Sequence, residues 1–175
     1  MKILLDKTQI RQAMESLVEQ IADDLGTNSR LVVIGIRSRG EILAKRLGYM
    51  LSKHLGREIP IGTLDITLYR DDLHEPRGEG QLFVRPTEID FDVNETTILL
   101  VDDVLFTGRS VRAAMDALTD LGRPKAVRLA VLIDRGRHEL PIRADYVGHK
   151  VDVKEPESVH VLLEETDQIE QVILE

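Results

Sequence analysis

Short apolar runs that alternate with segments of helical period constrain the fold of this chain more than any other feature. The runs LVVIGI (31–36), TTILLVDD (96–103) and KAVRLAVLIDRG (125–136) have the near-continuous hydrophobicity of strands that are covered on both faces. Apolar residues recur at helical spacing in EILAKRLGYMLSKHL (41–55) and SVRAAMDALTDLG (110–122), which follow the first two runs. Strands that alternate with helices form right-handed crossovers. The sequence therefore predicts an α/β fold with a mostly parallel, twisted sheet flanked by helices.

The chain has the length of one domain. Its 175 residues can bury one core, and because no repeat or interdomain linker interrupts them, we predict a single domain over residues 1–175. Another helix is predicted at DKTQIRQAMESLVEQIADDL, with Asp6 or Thr8 as its N-cap. A polar stretch rich in Gly and Pro occupies residues 69–95. A loop of this length inside a compact domain is usually either functional or disordered.

Charge and composition exclude several classes of protein. The chain has 23 Lys and Arg residues against 31 Asp and Glu residues, a net charge of −8, which argues against indiscriminate nucleic-acid binding. It contains no cysteine, so disulfides and thiolate zinc sites are excluded. No apolar run approaches the roughly 20 residues that span a bilayer. We therefore expect a cytoplasmic protein without a membrane segment.

The stretch ILLVDDVLFTGRS combines an acid pair with a turn that favours anions. Asp102 and Asp103 stand where a buried strand surfaces, and ligands of parallel sheets bind beyond such strand ends. Because an unpaired buried carboxylate is costly, the pair needs sugar hydroxyls, a hydrated divalent cation or a basic side chain. Thr107, Gly108 and Ser110 supply hydroxyls and backbone N–H groups at a helix start, which form a cradle for phosphate. The combination indicates a ribose 5-phosphate site. The alternative is that the acids merely cap the helix and the glycine makes an ordinary turn.

A second turn repeats this arrangement. In GIRSRGE, Arg37, Ser38, Arg39 and Gly40 follow a predicted buried strand and precede a predicted helix. Arginine forks bind phosphate oxygens in bidentate fashion, although two arginines beside a strand end are often only a solvated rim. Two anion sites at one sheet edge, separated by a sugar, fit a substrate with phosphate at one end and pyrophosphate at the other. The common phosphate motifs GxxxxGK[ST] and GxGxxG do not occur in the chain.

These motifs resemble those of a known family. ILLVDDVLFTGRS is similar to the 5-phosphoribosyl-1-pyrophosphate (PRPP) signature of type I phosphoribosyltransferases. IRSRG, LDITLYRDDL, LAVLIDRG and ELPIRADYVG extend the resemblance to one branch, the PyrR family of pyrimidine operon attenuators with uracil phosphoribosyltransferase activity. The resemblance implies a type I phosphoribosyltransferase fold and the conversion of uracil and PRPP into UMP and pyrophosphate. It also implies Mg²⁺ that is held by substrate and water, not by dedicated protein ligands.

The resemblance also assigns roles to residues. Asp102 and Asp103 would hold the ribose hydroxyls and stabilise positive charge on the sugar, and Arg39 would stabilise the leaving pyrophosphate. The 5-phosphate loop would comprise Val104, Leu105, Phe106, Thr107, Gly108, Arg109 and Ser110. The pyrophosphate loop would comprise Arg37, Ser38, Arg39 and Gly40.

A lid and a hood around this site are further implications of the resemblance. Residues 69–95 would form a flexible lid loop that excludes water, with Arg70 and Asp71 as its contacts to pyrophosphate or metal. Uracil would lie under a small hood made of about residues 134–150 plus the terminal segments. The candidate base-contacting residues are Asp134 and Arg135.

RNA binding is the second activity that the resemblance implies. The RNA would bind to a basic concave face of a homodimer or homotetramer, and UMP would regulate this binding. The candidate contacts to pyrimidine (pyr) leader mRNA are Arg137, His138, Arg143 and Lys150. The family's usual Gly-His-Arg-Glu-Leu is Gly-Arg-His-Glu-Leu in this chain. The first predicted helix is acidic and would oppose RNA phosphates, since it carries Glu15, Glu19, Asp23 and Asp24.

Catalysis therefore ranks first and RNA control second. Two alternatives stay open at the level of sequence. In the first alternative, the chain is an RNA-binding regulator that uses the PRPP site only to sense nucleotides. In the second, it is a phosphoribosyltransferase for another nucleobase.

Overall fold

Strands and helices alternate along most of the polypeptide. The computed structural model describes residues 1–72 and 83–175. The elements are β1 (Lys2–Leu5), α1 (Lys7–Leu25), β2 (Leu31–Ile36), α2 (Arg39–Leu55), β3 (Ile61–Leu64), β4 (Thr97–Leu105), α3 (Arg109–Leu121), β5 (Ala126–Asp134), β6 (Tyr146–Lys150), β7 (Val159–Leu162), α4 (Glu164–Asp167) and β8 (Gln171–Leu174). A 3₁₀ turn, Thr67–Tyr69, follows β3. Within the two described ranges, no helix has both the length and the apolar character that crossing a membrane requires.

A five-stranded parallel sheet forms the centre of the molecule. Its strand order is β3-β2-β4-β5-β6, and each neighbouring pair runs parallel. The chain moves outward in one direction from β2 to β3 and in the other direction from β4 to β6. This reversal creates a switch point between β2 and β4, where open parallel sheets bind their ligands beyond the carboxyl ends of the strands. The predicted α/β fold with a parallel sheet flanked by helices is confirmed.

Helices cover both faces of the sheet. Val33 and Leu99 pack with residues of α1 and α2 on one face, whereas Ile34 and Leu100 pack with residues of α3 on the other. Successive side chains of a strand point to opposite faces, so both residues of each adjacent pair are buried here. This burial explains why β2 and β4 are almost continuously apolar.

The helix ends agree with the local sequence. Asp6 is the N-cap of α1, and its carboxylate and the Gln9 side chain accept each other's backbone N–H groups at 2.9 Å, which is a capping box. α2 ends at Gly56, whose φ of 65° lies in the left-handed region that favours glycine.

A second, smaller sheet brings the two ends of the chain together. β1, β8 and β7 pair in that order, and both pairs are antiparallel. Arg46 of α2 holds this terminal sheet against the helical layer, since its guanidinium bonds Glu165 and Glu170 at 2.6 Å each. Within the predicted hood region, Tyr146–Lys150 form the edge strand β6 of the central sheet.

Candidate active site

The pyrophosphate loop and the 5-phosphate loop meet at the switch point between β2 and β4. A cleft of about 300 Å³ lies there. Residues from both predicted loops, from the acid pair and from the lid line it, namely Arg37, Ser38, Arg39, Arg70, Asp102, Asp103, Val104 and Ser110. Side chains as far apart in the sequence as Arg37 and Ser110 therefore share one pocket.

The acid pair lies inside β4, which continues to Leu105 beyond the point where the sequence predicts the strand to surface. Asp102 Oδ1 accepts the backbone N–H of Asp103, and Asp103 Oδ1 accepts that of Val104, both at 2.9 Å. Burial raises the pKa of Asp102 well above its ordinary value, and the neighbouring charge of Asp103 adds to this rise. The ionised pair is therefore stabilised by any ligand that brings hydroxyl donors or positive charge.

Glycine permits a close approach of α2 to this pair. A Cβ atom on Gly40 would lie 2.6 Å from the carbonyl oxygen of Val101 and 3.1 Å from Cα of Asp102. No larger residue fits at these distances without a backbone shift. The first turn of α2 consequently packs directly against β4, and the preceding peptide bond, Arg37–Ser38, is cis.

The two arginines of the pyrophosphate loop differ in their contacts. Arg37 bonds Glu41 at 2.8 Å and the carbonyl oxygen of Pro86 at 3.0 Å, so protein groups already satisfy it. Arg39 donates from Nη2 to Asp167 at 3.0 Å, while its buried Nε has no hydrogen-bond partner among the residues described. That Nε is enclosed by protein, so an anionic ligand in the cleft would meet the exposed remainder of the Arg39 side chain, whereas Arg37 mainly joins α2 to the segment before β4.

The 5-phosphate loop leads into the N-terminus of α3. Gly108 has a φ of 93°, and α3 begins at the next residue. The carbonyl oxygen of Thr107 accepts the backbone N–H groups of Glu139 and Leu140 at 3.0 and 3.1 Å. These two bonds anchor the loop. In the first turn of α3 the N–H of Arg109 already donates to Oγ1 of Thr107 at 3.3 Å, whereas those of Ser110 and Val111, which have no intrahelical partners, are placed to bind an anion.

The lid residues Arg70 and Asp71 lie near the 5-phosphate loop. Asp71 accepts a hydrogen bond from Arg109 at 2.8 Å, and Arg70 bonds Asp72 at 2.8 Å. Asp71, followed by Glu139, raises the pKa of Arg109 by stabilising its charge. A second cavity of about 590 Å³, between these residues and Thr107, continues the cleft. Residues 73–82 of the predicted lid lie outside the described ranges.

The candidate base residues adjoin the 5-phosphate loop. The Arg135 guanidinium stacks on the ring of Phe106 at 3.7 Å, and its Nη2 donates to the carbonyl oxygen of Glu157 at 3.2 Å. Burial and the charge of Arg137 lower the pKa of Arg135. Asp134 Oδ1 lies 2.9 Å from Nε2 of His138 and accepts the N–H of Gly136. Arg135 therefore packs against the 5-phosphate loop and is almost completely buried.

The candidate RNA residues divide into two groups. Arg137, Arg143 and Lys150 are exposed. His138 is not, since its side chain is 9% exposed and its ring bonds Asp134. The acidic helix α1 adjoins this region, because Asp24 accepts a hydrogen bond from the hydroxyl of Tyr146 in β6. Basic and acidic side chains therefore share this surface.

Two parts of the cleft were not predicted. Asp65, Ile66 and Thr67 line it just after β3. Ligands of parallel sheets bind beyond the carboxyl ends of the strands, so the end of β3 was a place at which these residues could have been predicted. A further cavity of about 450 Å³ opens between Asp103 and the β7 strand of the terminal sheet. No pattern in the sequence indicates that β7 lies there.

Known proteins match this chain over nearly all of its length. The model of the phosphoribosyl transferase domain family matches residues 1–163. The bifunctional protein PyrR of Limosilactobacillus fermentum is 46% identical over 98% of this chain and 96% of the relative. The PyrR of Pelotomaculum thermopropionicum is 49% identical over 98% and 93%, respectively.

Solved structures share the fold at lower identity. The hypoxanthine phosphoribosyltransferase of Trypanosoma cruzi superposes with a TM-score of 0.74 over 99% of this chain and 95% of that structure, at 18% identity. The purine phosphoribosyltransferase of Pyrococcus horikoshii gives a TM-score of 0.62 over 85% and 86%, at 23% identity. With the motifs and the cleft already described, these matches establish that the chain belongs to the PyrR family of phosphoribosyltransferases.

Proposed function

We propose that the protein transfers a phosphoribosyl group from PRPP to uracil and forms UMP and pyrophosphate, and that it also regulates pyr operon expression by binding leader mRNA. Its PyrR relatives are named bifunctional, and they align with almost the whole chain. The observation that carries the catalytic half is the single cleft in which a buried acid pair, Arg39 and the start of α3 come together.

The 5-phosphate of PRPP would bind at the start of α3. The loop from Val104 to Ser110 offers backbone N–H groups and the hydroxyls of Thr107 and Ser110, and the helix polarity favours an anion by about 0.3–1 kcal/mol. Asp102 and Asp103 would accept the ribose hydroxyls. Loss of pyrophosphate leaves oxocarbenium-like positive charge on the sugar, which nearby carboxylates stabilise.

Pyrophosphate would leave toward the first turn of α2. Arg39 fits this role, because its partly exposed side chain lines the cleft and Arg37 is held by protein groups. The lid residues Arg70 and Asp71 are proposed to exclude water and to contact the pyrophosphate or its metal.

Mg²⁺ is proposed to enter the cleft together with the substrate. Among the residues described, no group of three or more His, Asp or Glu side chains is arranged to hold a metal ion. Mg²⁺ bound to the phosphates and to water would neutralise charge on the leaving pyrophosphate. The acid pair lies in the same cleft and would orient the ribose of that complex.

Base selection is proposed to involve the region of Asp134 and Arg135. The stacking of Arg135 on Phe106 joins this region to the 5-phosphate loop, so a base attached to the same ribose lies within its reach. The test is a transferase assay with PRPP, Mg²⁺ and each nucleobase, read by release of pyrophosphate. Turnover with uracil and none with purine bases is expected. Turnover with a purine base alone would identify a salvage enzyme for that base and reject uracil as the substrate.

The regulatory half is proposed to use the exposed basic residues Arg137, Arg143 and Lys150, with UMP tightening the complex. If uracil is not turned over while UMP still strengthens RNA binding, the protein is a regulator that uses its PRPP site for sensing. A homodimer or homotetramer and a cytoplasmic location remain our predictions for the assembled protein.

A further inference from the structure

An ion pair joins the pyrophosphate loop to the terminal sheet. Arg39, the first residue of α2, donates from Nη2 to Oδ1 of Asp167 at 3.0 Å, across 128 positions of sequence. Asp167 is the last residue of α4, between β7 and β8. The side chains are 34% and 20% exposed, so the pair lies at the edge of the cleft and is partly shielded from water.

The carboxylate of Asp167 is held in place by its own helix. Its Oδ2 accepts the backbone N–H of Leu163 and the hydroxyl of Thr166, both at 2.8 Å, which leaves Oδ1 for Arg39. The Leu163 N–H, then Thr166 and Arg39, keep the pKa of Asp167 below its ordinary value despite partial burial. The group is therefore ionised and fixed in orientation before any ligand binds.

The Arg39 side chain also lines the cleft. Arg39 contributes to the wall of the cavity that contains the acid pair and to that of the cavity between Asp103 and β7. Its buried Nε has no partner within the described residues. A free arginine side chain loses considerable rotamer entropy when it is fixed on a ligand. A partner that fixes one Nη beforehand reduces that loss.

We propose that Asp167 is a positioning residue that holds the Arg39 guanidinium in the orientation required to bind the leaving pyrophosphate. The inference rests on the proposed function, in which Arg39 stabilises that group. Preorganised donors stabilise developing charge more effectively than donors that must first reorient. Asp167 itself touches no substrate in this arrangement and acts only through Arg39.

A purely structural tether is the competing explanation. The terminal sheet is already attached by other pairs, however, since Arg46 bonds Glu165 and Glu170, and Lys7 lies 3.4 Å from Glu164. Loss of the Asp167 contact alone leaves these attachments intact. A change at Asp167 should therefore alter pyrophosphate binding more than it alters folding.

The test compares Asp167→Ala with Glu164→Gln, a control that removes an acidic charge and an ion pair from the same short helix. With Asp167→Ala we expect the KM for PRPP and the Kd for pyrophosphate to rise by about tenfold or more, as for loss of a charged hydrogen bond, while the KM for uracil stays within about twofold. Glu164→Gln should leave all three constants near those of the wild type. Asp167→Asn, which retains an acceptor, should lie between wild type and alanine.

A double-mutant cycle identifies the route of the effect. Because Asp167 acts through Arg39, Asp167→Ala should cause no further loss of pyrophosphate affinity in an Arg39→Ala background. Additive losses, or equal changes for PRPP and uracil, would overturn the proposal in favour of a tether.

Direct binding of pyrophosphate separates this inference from the proposed function. If the wild type fails to turn over uracil but binds pyrophosphate, and Asp167→Ala weakens that binding, the positioning role stands and the assigned base is wrong. If pyrophosphate affinity is the same in wild type and Asp167→Ala, the positioning role is rejected whichever base is used.

Discussion

Asp102 is a carboxyl group in an environment that opposes its charge. It is 8% exposed, its neighbour Asp103 is also acidic, and both effects raise its pKa. A fold gains nothing in stability from such a pair, because a hydrophobic or amide group would cost less to bury. Strain and unfavourable charge of this kind concentrate at functional sites. The acid pair is therefore better explained by a ligand than by folding.

Replacement of Asp102 by Asn should stabilise the protein at neutral and alkaline pH. Because the folded-state pKa of Asp102 lies above its unfolded value, its contribution to stability is lost as the pH rises from the ordinary carboxyl range through the raised pKa. Asp102→Asn does not ionise, so we expect it to melt about 2–4 °C higher than wild type near pH 8, with the difference disappearing toward about pH 4. Calorimetric melting across this range is the measurement. Parallel pH profiles for the two proteins would contradict the expectation.

Replacement of Asp103 by Asn should remove most transferase activity and leave the fold intact. The asparagine oxygen can still accept the Val104 N–H, which now bonds Asp103 at 2.9 Å. The negative charge beside the ribose is lost, and we expect kcat/KM to fall by about 10²-fold, as when other electrostatic contacts to a transition state are removed. Steady-state kinetics and circular dichroism on the same preparation check both parts. Turnover near that of the wild type would exclude Asp103 from the ribose site.

At the scale of elements, the contact between α2 and β4 sets the separation of the two anion sites. Gly40→Ala would place a Cβ atom 2.6 Å from the Val101 carbonyl oxygen and push the first turn of α2 away from the acid pair. We expect lower stability and a KM for PRPP that rises by about tenfold, because small displacements of a binding group are costly in catalysis.

Gly56→Ala is the matched control for this element. Gly56 has a positive φ, which an alanine adopts only with backbone strain, and it lies at the other end of α2 from the cleft. A Cβ atom there would meet nothing within 4 Å. The variant should lower the melting temperature without changing the KM for PRPP. If both variants change stability and neither changes PRPP binding, the close packing at Gly40 serves the fold alone.

Local patterns predicted the central sheet and its loops because they depend on residues close in sequence. Apolar runs identified β2, β4 and β5, and Asp6 marked the start of α1. The terminal sheet could not be predicted in this way, since β1 pairs with β8 from the other end of the chain. The distinction between the two arginines of the pyrophosphate loop also depends on distant contacts. Arg37 bonds Pro86 and Arg39 bonds Asp167, and no pattern of neighbouring residues in the sequence predicts either contact.

At the scale of the whole molecule, a net charge of −8 has to coexist with RNA binding. Exposed Arg137, Arg143 and Lys150 supply positive charge on a surface that α1 borders with acids. Association with RNA depends on such local basic groups and weakens steeply with salt. The affinity for leader RNA should therefore be more sensitive to single arginines here than on a uniformly basic protein.

Arg143→Ala should weaken binding to pyr leader RNA and reduce the slope of log K against log salt by about one. Arg123→Ala, an equal change of charge at an exposed position after α3, is the control and should leave that slope unchanged. Binding titrations over a series of salt concentrations, with and without UMP, provide the measurement. Equal slopes for wild type and Arg143→Ala would remove Arg143 from the RNA surface.

The pairing of β1 with β8 has a consequence for biosynthesis. A ribosome makes residues 2–5 well before residues 171–174, so β1 has no partner while the residues between them are translated. The nascent polypeptide can assemble its five-stranded core earlier, but the wall opposite Asp103 closes only after β8 has been made. Newly made protein therefore acquires a finished catalytic chamber in a late step, and a nonsense mutation before Gln171 leaves a core without its final wall.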